Sequence, residues 1–556
     1  MKANSQTTGL RYWMLRVLDE CDRAAAGFQA DPVHDLRVSL RRCRSMADGM
    51  MAMDPHPDWK AMKKAGRSLF RSLGELRDVQ IMMDWIEKLE PKVEKLAASA
   101  ASATPSAALQ RMSDNPPERA AHSAFDRSGD SSQSEDRSQD HNKPARDPAA
   151  HALLGILRHR ETEQKREARV ALEEFDQKQW RHWSKTLPQR AGHIRPGSSV
   201  FKHLALERWT AARDLHNRAM RSRSQVALHA TRIGIKRFRY IVENFLPIEH
   251  KLWSNDLKHM QDLLGEIHDL DVLWSTSLHA RIFPDTDSRR RWHQIIVEER
   301  GKRLAEYREK MVGPNSLWDL WRAALPQGKQ IQELATRRMK LWAKVLDSDF
   351  IHSERVARFS LELYDDLTRA GLLRPMEASN GQPFDARSSL FAGALLHDVG
   401  TAKGKKDHHK ESSKLIQKHG VPLGWNEKDM QLAAIVARFH RGALPTRSHK
   451  DLRNLPPSEQ AAVIRLAAIL RLANAFDATH DGHIRRIRIE NGIPAQGRSN
   501  GVPRRSAVPA KDAAVVLAAE GYAASSPVAR TIAAERFPLE TVLRRPVVVK
   551  AMKTTP

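Results

Sequence analysis

The strongest constraint on this chain is that it repeats itself. DPVHDLRVSLRRCRS, carrying His34, is followed by SLGELRDVQIM, and VALHATRIGIKRFRY, carrying His229, is followed by LLGEIHDLDVLW. Each copy reads as two helices, and one such pair cannot bury its apolar face alone. Duplication therefore predicts a helical bundle closed by the two copies against each other. The stretch from 97 to 150 between them is rich in Ala, Ser, Asp, Pro and Arg and poor in large apolar residues, which predicts a disordered insertion. GPNS at 313–316 and LPQGK at 325–329 read as breaks, as does the Gly/Pro/Ser-rich stretch 492–511. Beyond the last break, AAVVLAAE and PVVVKAM read as short strands of a small α/β appendage.

In the first copy His34, Arg37, Arg41 and Arg44 share one helical stripe beside the apolar Val33, Leu36, Leu40 and Cys43. Asp31-Pro32 reads as N-cap and first helical position. His229, Arg232, Lys236 and Arg239 repeat the stripe, and Arg42 and Arg237 widen it. Adjacent like charges cost a few tenths of a kcal/mol per pair on an isolated helix. One such helix is ordinarily a solvated face. Two in register, each with the same histidine, predict that an anion completes them, because guanidinium matches phosphate oxygens bidentately. The whole chain agrees: 92 Lys and Arg against 67 Asp and Glu leave a net charge of +25, which favours a polyanionic partner. Two cysteines, Cys21 and Cys43, are too few for a disulfide framework or a thiolate zinc site and suit a reducing cytoplasm. No segment reaches the ~20 apolar residues of a membrane span.

The His-xx-Arg-xxx-(Arg/Lys)-Arg-x-Arg helix with its LGE(L/I)xD partner, present twice, resembles the CHAD domain over residues 7–325. That resemblance implies a helical bundle with a basic groove for inorganic polyphosphate. It implicates His34, Arg37, Arg41, Arg42, Arg44, His229, Arg232, Lys236, Arg237 and Arg239, with Lys63, Lys64 and Lys258 contributing from the partner helices. Gly74 and Gly265 are expected to permit close helix packing rather than to touch the ligand.

The second half carries FIHSERVARF, ALLHDVG, KKDHHKESSKLI, AIVARFHRGALP and LRLANAFD in order. Imidazoles and a carboxylate together suit Mn, Mg, Fe or Zn, although each histidine alone, His408 and His419 included, could equally be surface or core. The ordered series resembles the HD phosphohydrolase superfamily. More narrowly, it resembles the helical domain that follows the catalytic domain in exopolyphosphatase and guanosine pentaphosphatase proteins, here over 335–480, with 481–556 as the appendage. The resemblance implies metal ligands at His352, His397, Asp398, His409 and His440, with His397 and Asp398 at the catalytic centre and Lys403, Lys405, Lys406, Lys410, Arg438 and Arg441 facing phosphate. The last metal-binding Asp of that family falls at Asn474 here, with Asp477 as a substitute, and Glu411 replaces a family histidine. GTAKGKK has the wrong glycine spacing for a P-loop, and Lys406 stands where Ser or Thr should follow.

The expected fold class is therefore mainly α: a duplicated bundle, then an all-α HD-like domain with a small α/β appendage. The expected function is polyphosphate binding, in the cytoplasm or on polyphosphate granules, with a metal-dependent phosphohydrolase-like centre of undecided activity. A non-enzymatic polyphosphate binder with a silent centre is the alternative. A nucleotide or nucleic-acid phosphodiesterase is a weaker one, since the basic helices do not interleave Arg with base-stacking aromatics.

Overall fold

The computed structural model describes residues 9–102, 147–222, 224–373, 384–490 and 514–552. The first half runs α1 (Leu10–Ala25), α2 (Ala30–Met50), α3 (Pro57–Ala65), α4 (Arg67–Ser102), α5 (Pro148–Glu173), α6 (Gln177–Ala191), α7 (Ser199–Ser222), α8 (Gln225–Phe245), α9 (Pro247–His279), α10 (Thr286–Met311) and α11 (Leu317–Ala323). Most of the expected insertion lies outside the described residues. At its edges α4 stays helical to Ser102, and Asp147 caps α5 through Ala149 N and Ala150 N. Asp31 and Pro32 fall inside the first turn of α2, two residues further in than the sequence predicts, because Gln29 is the N-cap and the helix opens at Ala30. The residues 313–316 and 325–328 fall between helices, where Gly313 and Gly328 take positive φ, and Lys329 opens α12.

The stripes pack as their periodicity dictates. Val33, Leu36, Leu40 and Cys43 of α2 and Leu228, Ile235 and Phe238 of α8 are buried in one core, closed by Trp59, Trp180, Trp318 and Trp321. A second cluster, including Trp85, Leu153, Leu270 and Trp292, holds α4, α5, α9 and α10 together further along the bundle.

The second half continues with α12 (Lys329–Leu346), α13 (Phe350–Arg369), α14 (Ala386–Leu395), a 3-10 turn (Val399–Lys403), α15 (His408–His419), α16 (Glu427–Arg438) and α17 (Pro457–Phe476). Then come β1 (Arg486–Ile489), β2 (Val515–Glu520), α18 (Pro527–Glu535), α19 (Phe537–Leu543) and β3 (Val547–Ala551). The sheet order is β1-β2-β3, with β1 antiparallel and β3 parallel to β2. β2 and β3 fall on the two segments read as strands; β1 is additional, and the stretch 492–511 lies outside the described residues. The open edge of β1 is capped by α13: Ile487 N and Ile489 N donate to Glu362 (3.0 Å) and Asp366 (2.9 Å). Sheet residues Ile487, Leu517 and Val547 share a core with Phe359 of α13 and Phe476 of α17.

The two halves are bonded to each other. Arg338 of α12 donates to Glu207 Oε2 (2.6 Å) and His203 Nδ1 (2.9 Å) on α7, and His203 Nε2 donates to the Leu423 carbonyl (2.8 Å). Among the described residues no helix is long and apolar enough to cross a membrane.

Candidate functional site

α2 and α8, one from each copy, lie against each other and against α4 and α9, and their basic stripes meet. Lys236 is pushed down to about 8, first by burial and then by Arg41, Arg232 and Arg37. A lysine reaches that range only where cations crowd it in a partly dry site. Arg41 and Lys236, equivalent in the repeat, stand over one Tyr240 ring, 5.7 and 5.9 Å from its centroid. The Tyr240 hydroxyl and Arg41 Nε are buried without a hydrogen-bond partner, so both remain free to serve an anion.

Arg37 is seated by the LGE glycine. Its Nη1 donates to the Leu73 carbonyl (2.7 Å), and a Cβ on Gly74 would come within 3.0 Å of Nη1. Gly265 holds Arg232 less closely, at 3.9 Å from Nε. Arg37 and Arg44 flank Phe70 at 5.6 and 5.2 Å. The two histidines are held toward the neutral form. Burial, then Arg77 and Arg41, push His34 down, and burial, then Arg232 and Lys236, push His229 down. His229 Nδ1 is 3.3 Å from His268 Nδ1, and His268 falls to about 4 through burial, Arg232 and His229. Among these bases sits Asp269, raised to about 6 by burial against the pull of Arg232, with its repeat counterpart Asp78 adding to the rise.

Arg42 and Arg239 also act on the Tyr240 hydroxyl, and they share Glu243: Arg42 pairs with it, and Arg239 lies 3.7 Å from it. Lys63 pairs with Asp48, and the Lys63 carbonyl accepts from Arg44 Nη1 at 2.7 Å. Arg237, Lys64 and Lys258 are exposed, away from the row that centres on Tyr240.

The second cluster is built from helix ends. His397 and Asp398 follow α14, His408 opens α15, His440 follows α16, and His352 lies in the first turn of α13. Each of His397, His408 and His440 donates Nδ1–H to the carbonyl three residues earlier: Ala394 (2.7 Å), Lys405 (2.9 Å) and Ala437 (2.8 Å). That bond fixes the tautomer and turns the Nε2 lone pairs inward, as metal-ligating histidines require. His408 Nε2 and His440 Nε2 are 3.0 Å apart, and His397 Nε2 is buried without a partner. Nitrogens so close need a proton or a metal cation between them; the Asp398 hydrogen bond raises His408 and favours a proton in the metal-free site, and the same three imidazoles with the carboxylate form a donor set that fits a divalent metal. Asp398 is shared by two groups of ligand-type atoms, His352–His397–Asp398 and Asp398–His408–His440. Burial pushes its carboxyl up, but His397, His408 and His440 outweigh this and hold it well below the usual carboxylate range. Gly400 makes the packing possible, since a Cβ there would lie 2.1 Å from the His408 carbonyl oxygen.

Two residues named from the sequence sit elsewhere. His409 is buried beside Arg438 and is pushed down to about 4 by burial and then by Arg438, but it joins neither group; His408 does. Asp477 lies behind His352, accepting from His352 Nδ1 (2.7 Å) and Arg355 Nε (2.8 Å) on one oxygen and from Gly482 N (3.2 Å) on the other. It orients the ring and does not join the shared Asp398 groups. Asn474 Oδ1 is 3.0 Å from His352 Nε2, and Glu411 pairs with Lys414. Lys403, Lys405, Lys406, Lys410 and Arg441 are exposed; Lys410 pairs with Asp407, and Arg438 is half-buried. Sequence reasoning missed His408, Arg77, Tyr240, His268 and the Asp78–Asp269 pair. Superposing the copies would have exposed four of these positions, since Arg77 aligns with His268 and Asp78 with Asp269.

These two sites define a class: a helical bundle with a half-buried cation row, joined to a helical module with a histidine–aspartate cluster that could hold a metal. Residues 14–277 match the CHAD domain, and residues 333–497 match Ppx/GppA phosphatase, domain III. No curated protein matches the chain.

Proposed function

We propose that this protein binds inorganic polyphosphate along the α2–α8 row and holds a divalent metal ion at the Asp398 cluster, where a phosphoanhydride or phosphate ester is hydrolysed. Both matched domains point to polyphosphate-related chemistry. The observation that carries the binding reading is the row itself: burial, and then Arg41, Arg232 and Arg37, push Lys236 down to about 8, with Asp78 opposing them. A chain of phosphates would relieve the repulsion that remains.

At the cluster His397, Asp398, His408 and His440 would hold the metal, with His352 reaching the same carboxylate. When bound, the metal polarises a phosphoryl oxygen and lowers the pKa of a coordinated water. The chain's own residues supply the rest. The backbone carbonyls of Ala394, Lys405 and Ala437 keep the imidazoles in the ligating tautomer. Asp477 and Arg355 fix His352. Arg438 and Arg441 stand near the cluster, as the depressed His409 and the influence of Arg441 on His408 show, and offer charge to a phosphate.

A second reading, a polyphosphate binder with a silent centre, is favoured by one observation: the neutral Asn474 occupies the position against His352 Nε2. Phosphate release from long-chain polyphosphate with Mn, Mg or Zn, compared with Asp398→Ala, separates the two. Release abolished by the substitution establishes the hydrolase. Binding without release establishes the silent centre. Unchanged filter binding in Arg37→Ala/Arg41→Ala/Arg232→Ala overturns the groove.

A further inference from the structure

A crevice of about 670 Å³ opens where the two halves meet, between the loop before α7 and the α12–α13 corner. That volume lies in the range of small-molecule sites. Its rim carries Arg195, Arg337 and Lys344. Among the described residues none of the three is ion-paired, and Arg337 has only a 3.4 Å contact to the Ser199 hydroxyl. Of the carboxylates in the wall, Asp349 pairs with His480 (2.6 Å) and Glu354 with Lys340 (2.8 Å), while Asp347 accepts from the neutral Ser353 Oγ (2.7 Å) and keeps its charge. Ser198 Oγ, also in the wall, is buried without a partner. The floor is apolar: Ile194, Leu341, Phe350 and Ile351, the last of them 66% exposed.

We propose that this crevice is a separate site for a small phosphate-bearing ligand, gripped by Arg195, Arg337 and Lys344 and seated on the Ile351 floor. With Lys340 paired to Glu354 and His480 set against Asp349, the lining keeps an excess of cation, Arg195, Arg337 and Lys344 against the carboxylate of Asp347, which favours an anion, and phosphate suits the two guanidinium groups. The apolar floor favours a phosphate ester with a flat body over a bare phosphate chain, whose oxygens gain nothing from it. The site also touches the metal cluster from behind. Asp349 caps the turn that presents His352, and its partner His480 stacks on the His352 ring at 3.8 Å. A ligand in the crevice therefore meets the residues that orient His352.

The test uses a single accessible thiol. Cys21 and Cys43 are buried, so Ile351→Cys in the full chain places a reactive cysteine on the crevice floor. Labelling by N-ethylmaleimide, which is neutral, is timed with ATP or with tripolyphosphate as the probe. The expected result is labelling slowed about tenfold at saturating ATP, less by tripolyphosphate, with protection lost when Arg195→Ala/Lys344→Ala is added. Equal protection by both probes, lost in the same variant, assigns the same cations to the end of a phosphate polymer. Protection by neither probe, or protection that survives the double substitution, overturns the proposal. Equal labelling rates without ligand in the two backgrounds confirm that the crevice is intact. Because the readout is at residue 351, it stands whether or not the α2–α8 row binds polyphosphate.

Discussion

Lys236 is where the two copies of the repeat differ most usefully, for its counterpart is Arg41. With its pKa near 8 in the free protein, it begins to lose its charge just above neutrality. Bound phosphate stabilises the ammonium and raises that pKa, so binding takes up a proton above pH 8, and affinity falls as pH rises from about 8 toward 10. Lys236→Arg keeps the charge at all these values. The expected outcome is a flat affinity profile between pH 7 and 10 for the variant and a falling one for the parent, read by filter binding. The side chain of Asn474 sets the other residue-scale prediction. Asn474→Asp puts a charged oxygen about 3 Å from His352 Nε2, and metal affinity is expected to rise about tenfold, measured by competition with a fluorescent chelator. Unchanged affinity would show that the side chain at 474 does not reach the metal.

At the scale of elements, the LGE helix does more than pack. Ala is favoured over Gly inside a helix by about 1 kcal/mol, so Gly74→Ala ought to stabilise α4. Its Cβ would instead press on Arg37 Nη1 and break the bond to the Leu73 carbonyl, a loss of similar size. The melting temperature is therefore expected to stay nearly constant while polyphosphate affinity falls about fivefold, as a displaced guanidinium loses roughly 1 kcal/mol of contact. A change confined to stability would mean that Arg37 is structural. α15 shows the same dependence on an element's start. Asp407 takes a left-handed conformation (φ +56°) immediately before it, and this kink, together with the close approach to Gly400, aims His408 rather than His409 into the cluster.

On the scale of the molecule, the buried Arg338 ties the two halves through Glu207, His203 and the Leu423 carbonyl. Burial pushes the Glu207 carboxyl up, but Arg338 more than reverses this. Arg338→Ala strands Glu207 and His203 and is expected to cost about 2–4 kcal/mol. Calorimetry should then resolve two unfolding transitions in place of one, since the cores on either side have separate apolar clusters. A single transition at a lower temperature would show that apolar contacts such as those of Ile331, Leu341 and Leu423 with the first core couple the halves without the arginine.

Much of this was determined by the sequence alone. The 3.6-residue period placed Val33, Leu36, Leu40 and Cys43 in the core and the arginines on the adjoining face, because side-chain direction along a helix follows from position. The repeat showed which residues are equivalent, and the HDVG and RFHRG motifs marked the metal cluster. Tertiary structure decided what local period cannot reach. Adjacent residues on a helix point about 100° apart, so choosing between His408 and His409 required knowing where α15 begins and what it packs against. The crowding of Lys236 by Arg41 depends on how two helices nearly 200 residues apart in sequence come together. Asp477 lies nearly one turn from Asn474, yet packing against Arg355 and Gly482 turns it behind His352, because both of its oxygens find donors there.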